Sequence, residues 1–155
     1  MVDDDAQLLE HGRVLAEAVV AALPGWVERC VQQRCVEAGV DYDEVVAAAT
    51  RAAGADCAAR EGLAVTELLA TDPDEQSTTP LAILRGAVVH PTAVLLAAGV
   101  PPVDRDDFAR RAFPDDVYDL SPATVADLDP DLHQLAITWG AARAWVHRRR
   151  HGGGG

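Results

Sequence analysis

The sequence predicts an all-α chain, a single-domain helical bundle of about six to eight helices that closes on a long C-terminal amphipathic helix. Three observations carry that expectation. No window alternates branched apolar with polar residues at period two, and apolar residues instead recur three and four apart along most of the chain. Three steps, Thr79-Pro80, Ser121-Pro122 and Asp129-Pro130, place a capping side chain directly before proline. Each reads as a helix start, because proline at the first helical position gives up an N–H that has no partner there.

The first helix is expected over Gln7 to Leu23, with Leu8, Leu15, Val19 and Ala22 at helical spacing and Asp5 as N-cap. Pro24-Gly25 is expected to break it, leaving a short second helix from Trp26 to Glu37 that ends at Gly39. Asp41 and Glu44 have the spacing of a capping box before an Ala-rich run from Tyr42 to about Ala70. Val46, Ala49, Ala53, Cys57, Ala64 and Leu68 line one stripe of it, and a bend is expected near Gly54 or Gly62. Small side chains let another backbone approach closely, so this helix is expected to be central.

Residues 72–79 are polar and aperiodic, and form the expected flexible joint. Short helices follow from Pro80 to Val89, from Thr92 to Ala98 after a restart at His90-Pro91, from Arg105 to Ala112, and from Pro122 to Leu128. The last helix runs from Pro130 to about Arg150, with Leu132, Leu135, Ala136, Trp139, Ala142 and Val146 on one side. Residues 152–155 form a glycine tail beyond the domain at 1–151.

A length of 155 residues is enough to bury roughly 70% of the unfolded surface in one core. Three cysteines, an odd number, and an acidic Met-Val-Asp-Asp-Asp start lead us to expect a reduced, cytoplasmic chain. No apolar stretch reaches the roughly 20 residues that span a bilayer, so no membrane association is expected. The net charge is −12, yet it is unevenly spread: residues 1–131 carry nine arginines against all 25 acids, and residues 132–155 carry four arginines and no acid. Such a split favours a partner at the basic end and argues against nucleic-acid affinity of the whole body.

Motifs that would carry chemistry are weak. Asp127, Asp129 and Asp131 alternate as in a calcium loop, but position six lacks glycine and Thr138 stands where a bidentate glutamate belongs. Asp129 and His133 are four apart with no third ligand, and a cap with acids near a helix N-terminus accounts for them. Cys30 and Cys35 are spaced by five, which suits neither a redox turn nor a zinc half-site, so all three cysteines read as small apolar residues. His90 reads as a cap or a satisfied interior histidine. Ser77, Thr79 and Ser121 lack a nucleophile elbow, and no glycine-rich phosphate loop occurs. No catalytic residue, metal or cofactor is assigned.

Two surfaces stand out. On the last helix, Arg143, Trp145, His147, Arg148, Arg149 and Arg150 gather aromatic and guanidinium groups of the kind enriched at binding hot spots. Arginines also simply complement the negative end of a helix. The stretch Val103 to Asp119 is the second, with Asp106, Asp107, Arg110, Arg111, Asp115, Asp116 and Tyr118 around Phe108 and Phe113. Its acids suit an arginine-bearing partner, and anchoring of the two phenylalanines in the core is the alternative.

The segments Thr79-Pro-Leu-Ala-Ile-Leu-Arg85, Gly99-Val-Pro-Pro102, Phe113-Pro-Asp-Asp-Val-Tyr-Asp119, Ser121-Pro-Ala-Thr124 and Trp139-Gly-Ala-Ala-Arg143 resemble a group of small uncharacterised actinobacterial proteins. The resemblance covers about the second half of the chain and implies no activity and no site residue. The absence of Lys and Asn from a sequence rich in Ala, Val, Asp and Arg agrees with a GC-rich source. The expectation is therefore a cytoplasmic, non-enzymatic interaction or regulatory protein, docking to a protein partner or to itself through the basic last helix. A nucleic-acid-associated regulator that touches phosphate through the terminal arginines is the alternative. An enzyme with a site assembled in a helical cleft is the third reading.

Overall fold

A computed structural model describes residues 4–71, 87–101 and 129–152. Among them lie four helices and no strand: α1 (Asp4–Ala38), α2 (Glu44–Ala70), α3 (Val89–Ala97) and α4 (Leu132–His151). The all-α class is as expected, with four described helices rather than six to eight. The helices expected over Arg105 to Ala112 and Pro122 to Leu128, most of the one over Pro80 to Val89, and the joint at 72–79 fall outside the described residues.

The break expected at Pro24-Gly25 does not occur. α1 is one helix of 35 residues with Pro24 inside it, roughly 50 Å long at 1.5 Å per residue. An interior proline costs about 3 kcal/mol through its missing N–H and its clash with the carbonyl four residues back. The side chains flanking it outweigh that cost. Leu23, Trp26 and Val27 are buried to within 2% of complete, and each fully buried large apolar side chain contributes about 1.5–3 kcal/mol. The buried face of Leu8, Leu15, Val19, Leu23, Val27 and Val31 runs through the proline without losing phase.

Gly39 ends α1 in a left-handed conformation at φ 68°. Its N–H donates to the Val36 carbonyl at 3.2 Å and that of Val40 to the Cys35 carbonyl at 2.9 Å, the paired bonds of a Schellman turn. The chain then reverses into α2. Asp43 caps α2, its carboxylate accepting the Val46 N–H at 2.9 Å, so the capping box expected at Asp41 and Glu44 gives way to a simple cap two residues on. The Schellman turn occupies residues through Val40, and Asp43 is the residue with the extended backbone that a cap requires.

α2 packs antiparallel along α1, and glycines set the spacing. A Cβ on Gly12 would lie 2.8 Å from the Leu69 carbonyl oxygen, one on Gly54 3.1 Å from the Pro24 Cα, and one on Gly62 2.6 Å from a Val20 methyl. α2 continues as one helix through Gly54 and Gly62, and both glycines admit α1. The central position expected for this helix falls to α1 instead, which packs against each of the other three described helices, whereas α2 packs on α1 and on the Val89–Ala97 helix. Its stripe is turned slightly from the expected one: Val46, Cys57 and Leu68 are buried, Ala53 and Ala64 half-buried, and Ala49 exposed. Thr50 takes the core position because its hydroxyl donates to the Val46 carbonyl at 2.7 Å and leaves no unmet polar group.

α3 packs on both α1 and α2. It ends in a second Schellman turn, with Gly99 at φ 83° and bonds from Gly99 to Leu96 and from Val100 to Leu95. Arg34 reaches from α1 to the Pro101 carbonyl at 3.3 Å, while His90 meets Glu61 of α2 at 3.1 Å. His90 is thus the satisfied, largely buried histidine that its apolar setting implied. The cysteines are free, Cys30 half-buried and the others buried. Burial pushes the Cys30 and Cys57 thiols up to about 12, and raises that of Cys35. None has the depressed value of a reactive thiol.

Candidate functional site

At the basic end of the chain the described residues gather arginine, tryptophan and carboxylate around a hollow. Its scaffold is the contact of α4 with α1. Leu132, Ala136, Trp139 and Val146 are buried, with Leu135 and Ala142 packed against them. α4 enters through a turn in which the Asp129 carboxylate accepts the Asp131 N–H at 3.0 Å. Asp129 thus performs the capping role its position before Pro130 implied, although α4 itself begins at Leu132.

Because α4 runs antiparallel to α1, the last turn of one lies beside the first turn of the other. Trp145 Nε1 donates to Asp4 Oδ2 at 3.1 Å, and Arg149 donates to that same oxygen. Arg150 reaches the Asp5 carboxylate at 3.2 Å. Each partner also sits at a favourable helix end, acids at the positive start of α1 and arginines at the negative end of α4. Asp4, Asp5, Val146, Arg149 and Arg150 line a shallow open pocket of about 250 Å³.

The remaining candidate residues are arranged by helical spacing. The Arg143 guanidinium lies 5.5 Å from the centre of the Trp139 ring and that of Arg148 5.8 Å from the Trp145 ring, both within cation–π reach. His147 packs against His151 with ring centres 4.6 Å apart. Trp145 remains 52% exposed and Ile137, two turns earlier, 41%, whereas Trp139 is buried. Structure thus gathers Trp145, Arg148, Arg149 and Arg150 at one end of α4, and places Arg143 a turn or more away over a core tryptophan. Asp4 and Asp5 were missed as site residues. The signal for them was the charge split itself, acids opening the chain and arginines closing it. The second candidate surface, Asp106, Asp107, Arg110, Arg111, Asp115, Asp116 and Tyr118, lies outside the described residues.

Among the described residues no group of three or more His, Cys, Asp or Glu side chains is placed to hold a metal ion. No helix there is long and apolar enough to cross a membrane.

The Trp145 hydrogen bond, followed by that from Arg149, holds the Asp4 carboxyl below its ordinary 3.8. A depressed carboxyl stabilises the folded clasp fully above its ordinary value, and that contribution is lost as pH falls through the folded value. The fluorescence of the chain, which Trp145 shares with Trp26 and Trp139, is therefore expected to show a step from the clasp centred below 3.8. Asp4→Asn should remove that step from the fluorescence titration; a step that survives the substitution belongs to another group.

The fold and this site define a helical chain whose distinguishing surface is an aromatic and arginine-rich helix end clasped by its own acidic start. No family model, curated protein or solved structure matches the chain.

Proposed function

We propose that this is a non-enzymatic interaction protein that docks to a protein partner through the exposed side of α4, centred on Trp145 and Arg148. The observation that carries the reading is the half-exposed Trp145 ring with the Arg148 guanidinium within cation–π reach of it. Tryptophan and arginine are the residue types that dominate binding hot spots. Ile137 extends the apolar contact along the helix.

The alternative of phosphate binding has less support. Arg149 and Arg150 face Asp4 and Asp5, which lowers the charge available for counterion release, and the rest of the molecule is strongly acidic. The cytoplasmic setting and the relation to the actinobacterial group belong to the same reading, resting on composition and on the quoted segments.

The test is affinity capture from a nuclease-treated native lysate, comparing the full chain with Trp145→Ala/Arg148→Ala after circular dichroism shows equal helix content. A protein retained by the natural chain and lost by the variant is the expected result. Equal retention by both, or retention abolished by the nuclease, overturns it.

A further inference from the structure

We infer that the cradle formed by Trp145, Arg149 and Arg150 is a binding site for a carboxylate-rich segment of a partner protein, and that Asp4 and Asp5 occupy it as a built-in competitor. The inference deepens the docking reading above and rests on it for the existence of a protein partner. What points to carboxylate is the ligand already in place. One oxygen of Asp4 receives both the indole N–H of Trp145 and the Arg149 guanidinium, and Asp5 receives Arg150. Planar guanidinium groups match the flat carboxylate fork, and the indole N–H adds a second, directional donor to the same oxygen.

What points to displacement is where the competitor sits. Asp4 and Asp5 lie in the first turn of α1, where the leading N–H groups lack helical partners and local opening costs least. The pocket they line with Val146 is open to solvent, so an incoming acidic side chain can enter before the resident one leaves. In each pair one partner keeps more than half of its side-chain surface exposed, Arg149 at 61% and Asp5 at 56%, while Asp4 and Arg150 keep 28% and 29%. Water reaches one member of each pair, which screens the attraction and eases exchange. Affinity for an outside carboxylate is reduced by the fraction of time the clasp is open. A clasp closed about nine-tenths of the time lowers it about ten-fold.

The experiment measures binding of a fluorescently labelled hexaglutamate peptide to the full chain by anisotropy. Asp4→Asn/Asp5→Asn is compared with the natural chain and with Glu28→Gln/Asp56→Asn, which removes the same charge from exposed positions away from the cradle. The expected result is a gain of about ten-fold for Asp4→Asn/Asp5→Asn over the charge control, abolished by adding Arg149→Ala/Arg150→Ala. Asp4→Asn alone serves as the milder variant, with a smaller gain in the same direction. Equal affinities in the clasp variant and the charge control overturn the inference. So does a gain seen for a single-stranded oligothymidine but not for hexaglutamate. Failure here alongside continued dependence of protein capture on Trp145 and Arg148 removes the competitor and leaves the docking surface standing. A gain for hexaglutamate with capture indifferent to those residues does the reverse.

Discussion

Trp26→Ala is expected to lower the free energy of unfolding by about 3–5 kcal/mol, the range for removing a buried tryptophan from a core. Trp26 is 2% exposed and, with Trp139, one of the two largest buried side chains among the described residues. It lies two residues after Pro24, in the stretch where burial offsets the proline cost. Losing it removes both core volume and the compensation that keeps α1 continuous. Native stabilities lie at about 5–15 kcal/mol, so the variant should unfold at much lower denaturant concentration, with reduced helical circular dichroism at physiological temperature. Trp145→Ala, at a half-exposed position on α4, should change the free energy of unfolding by under about 1 kcal/mol. Equal effects at the two positions would mean that α1 does not need its central side chains to cross Pro24.

Gly12→Val is expected to destabilise by about 1–3 kcal/mol through overpacking, even though replacing a helical glycine ordinarily helps by up to about 1 kcal/mol. The steric term wins because a Cβ at this position meets the backbone carbonyl of Leu69 at 2.8 Å. A backbone cannot rotate aside as a side chain can, so α2 as a whole must move from α1. Gly140→Ala is the control: nothing lies within 4 Å of its added Cβ, so only the propensity gain of about 1 kcal/mol remains. Chemical denaturation of the two variants should therefore move in opposite directions. Stabilisation by both would show that the helices are not in close contact at Gly12.

Much of the architecture was legible because helical periodicity is a local signal. The buried side of α4 can be read from Leu132, Ala136, Trp139 and Val146 alone, and the ends of α1 and α3 from Gly39 and Gly99, whose left-handed backbone suits glycine. The continuity of α1 was also written in the chain, since its apolar residues keep phase across Pro24. It was overridden by the local rule that proline breaks helices. That rule compares proline with other residues in an isolated helix, whereas Leu23, Trp26 and Val27 are stabilised only when other helices cover them. Ala49 and Thr50 show the same limit on a smaller scale. A buried threonine looks wrong by hydropathy until its hydroxyl is seen bonded to the Val46 carbonyl.

The sequence by itself determined the helical class, the chain reversal at Gly39 and the concentration of arginine and tryptophan at the end, because capping, helical period and charge are properties of neighbouring residues. Tertiary structure alone decided that burial of Leu23, Trp26 and Val27 outweighs the proline cost in α1, that Gly12, Gly54 and Gly62 set the distance between α1 and α2, and that the last arginines meet Asp4 and Asp5. Those outcomes join groups as far apart as positions 4 and 149. They depend on the direction in which α4 returns along α1, a choice made by packing that no local stretch of sequence encodes.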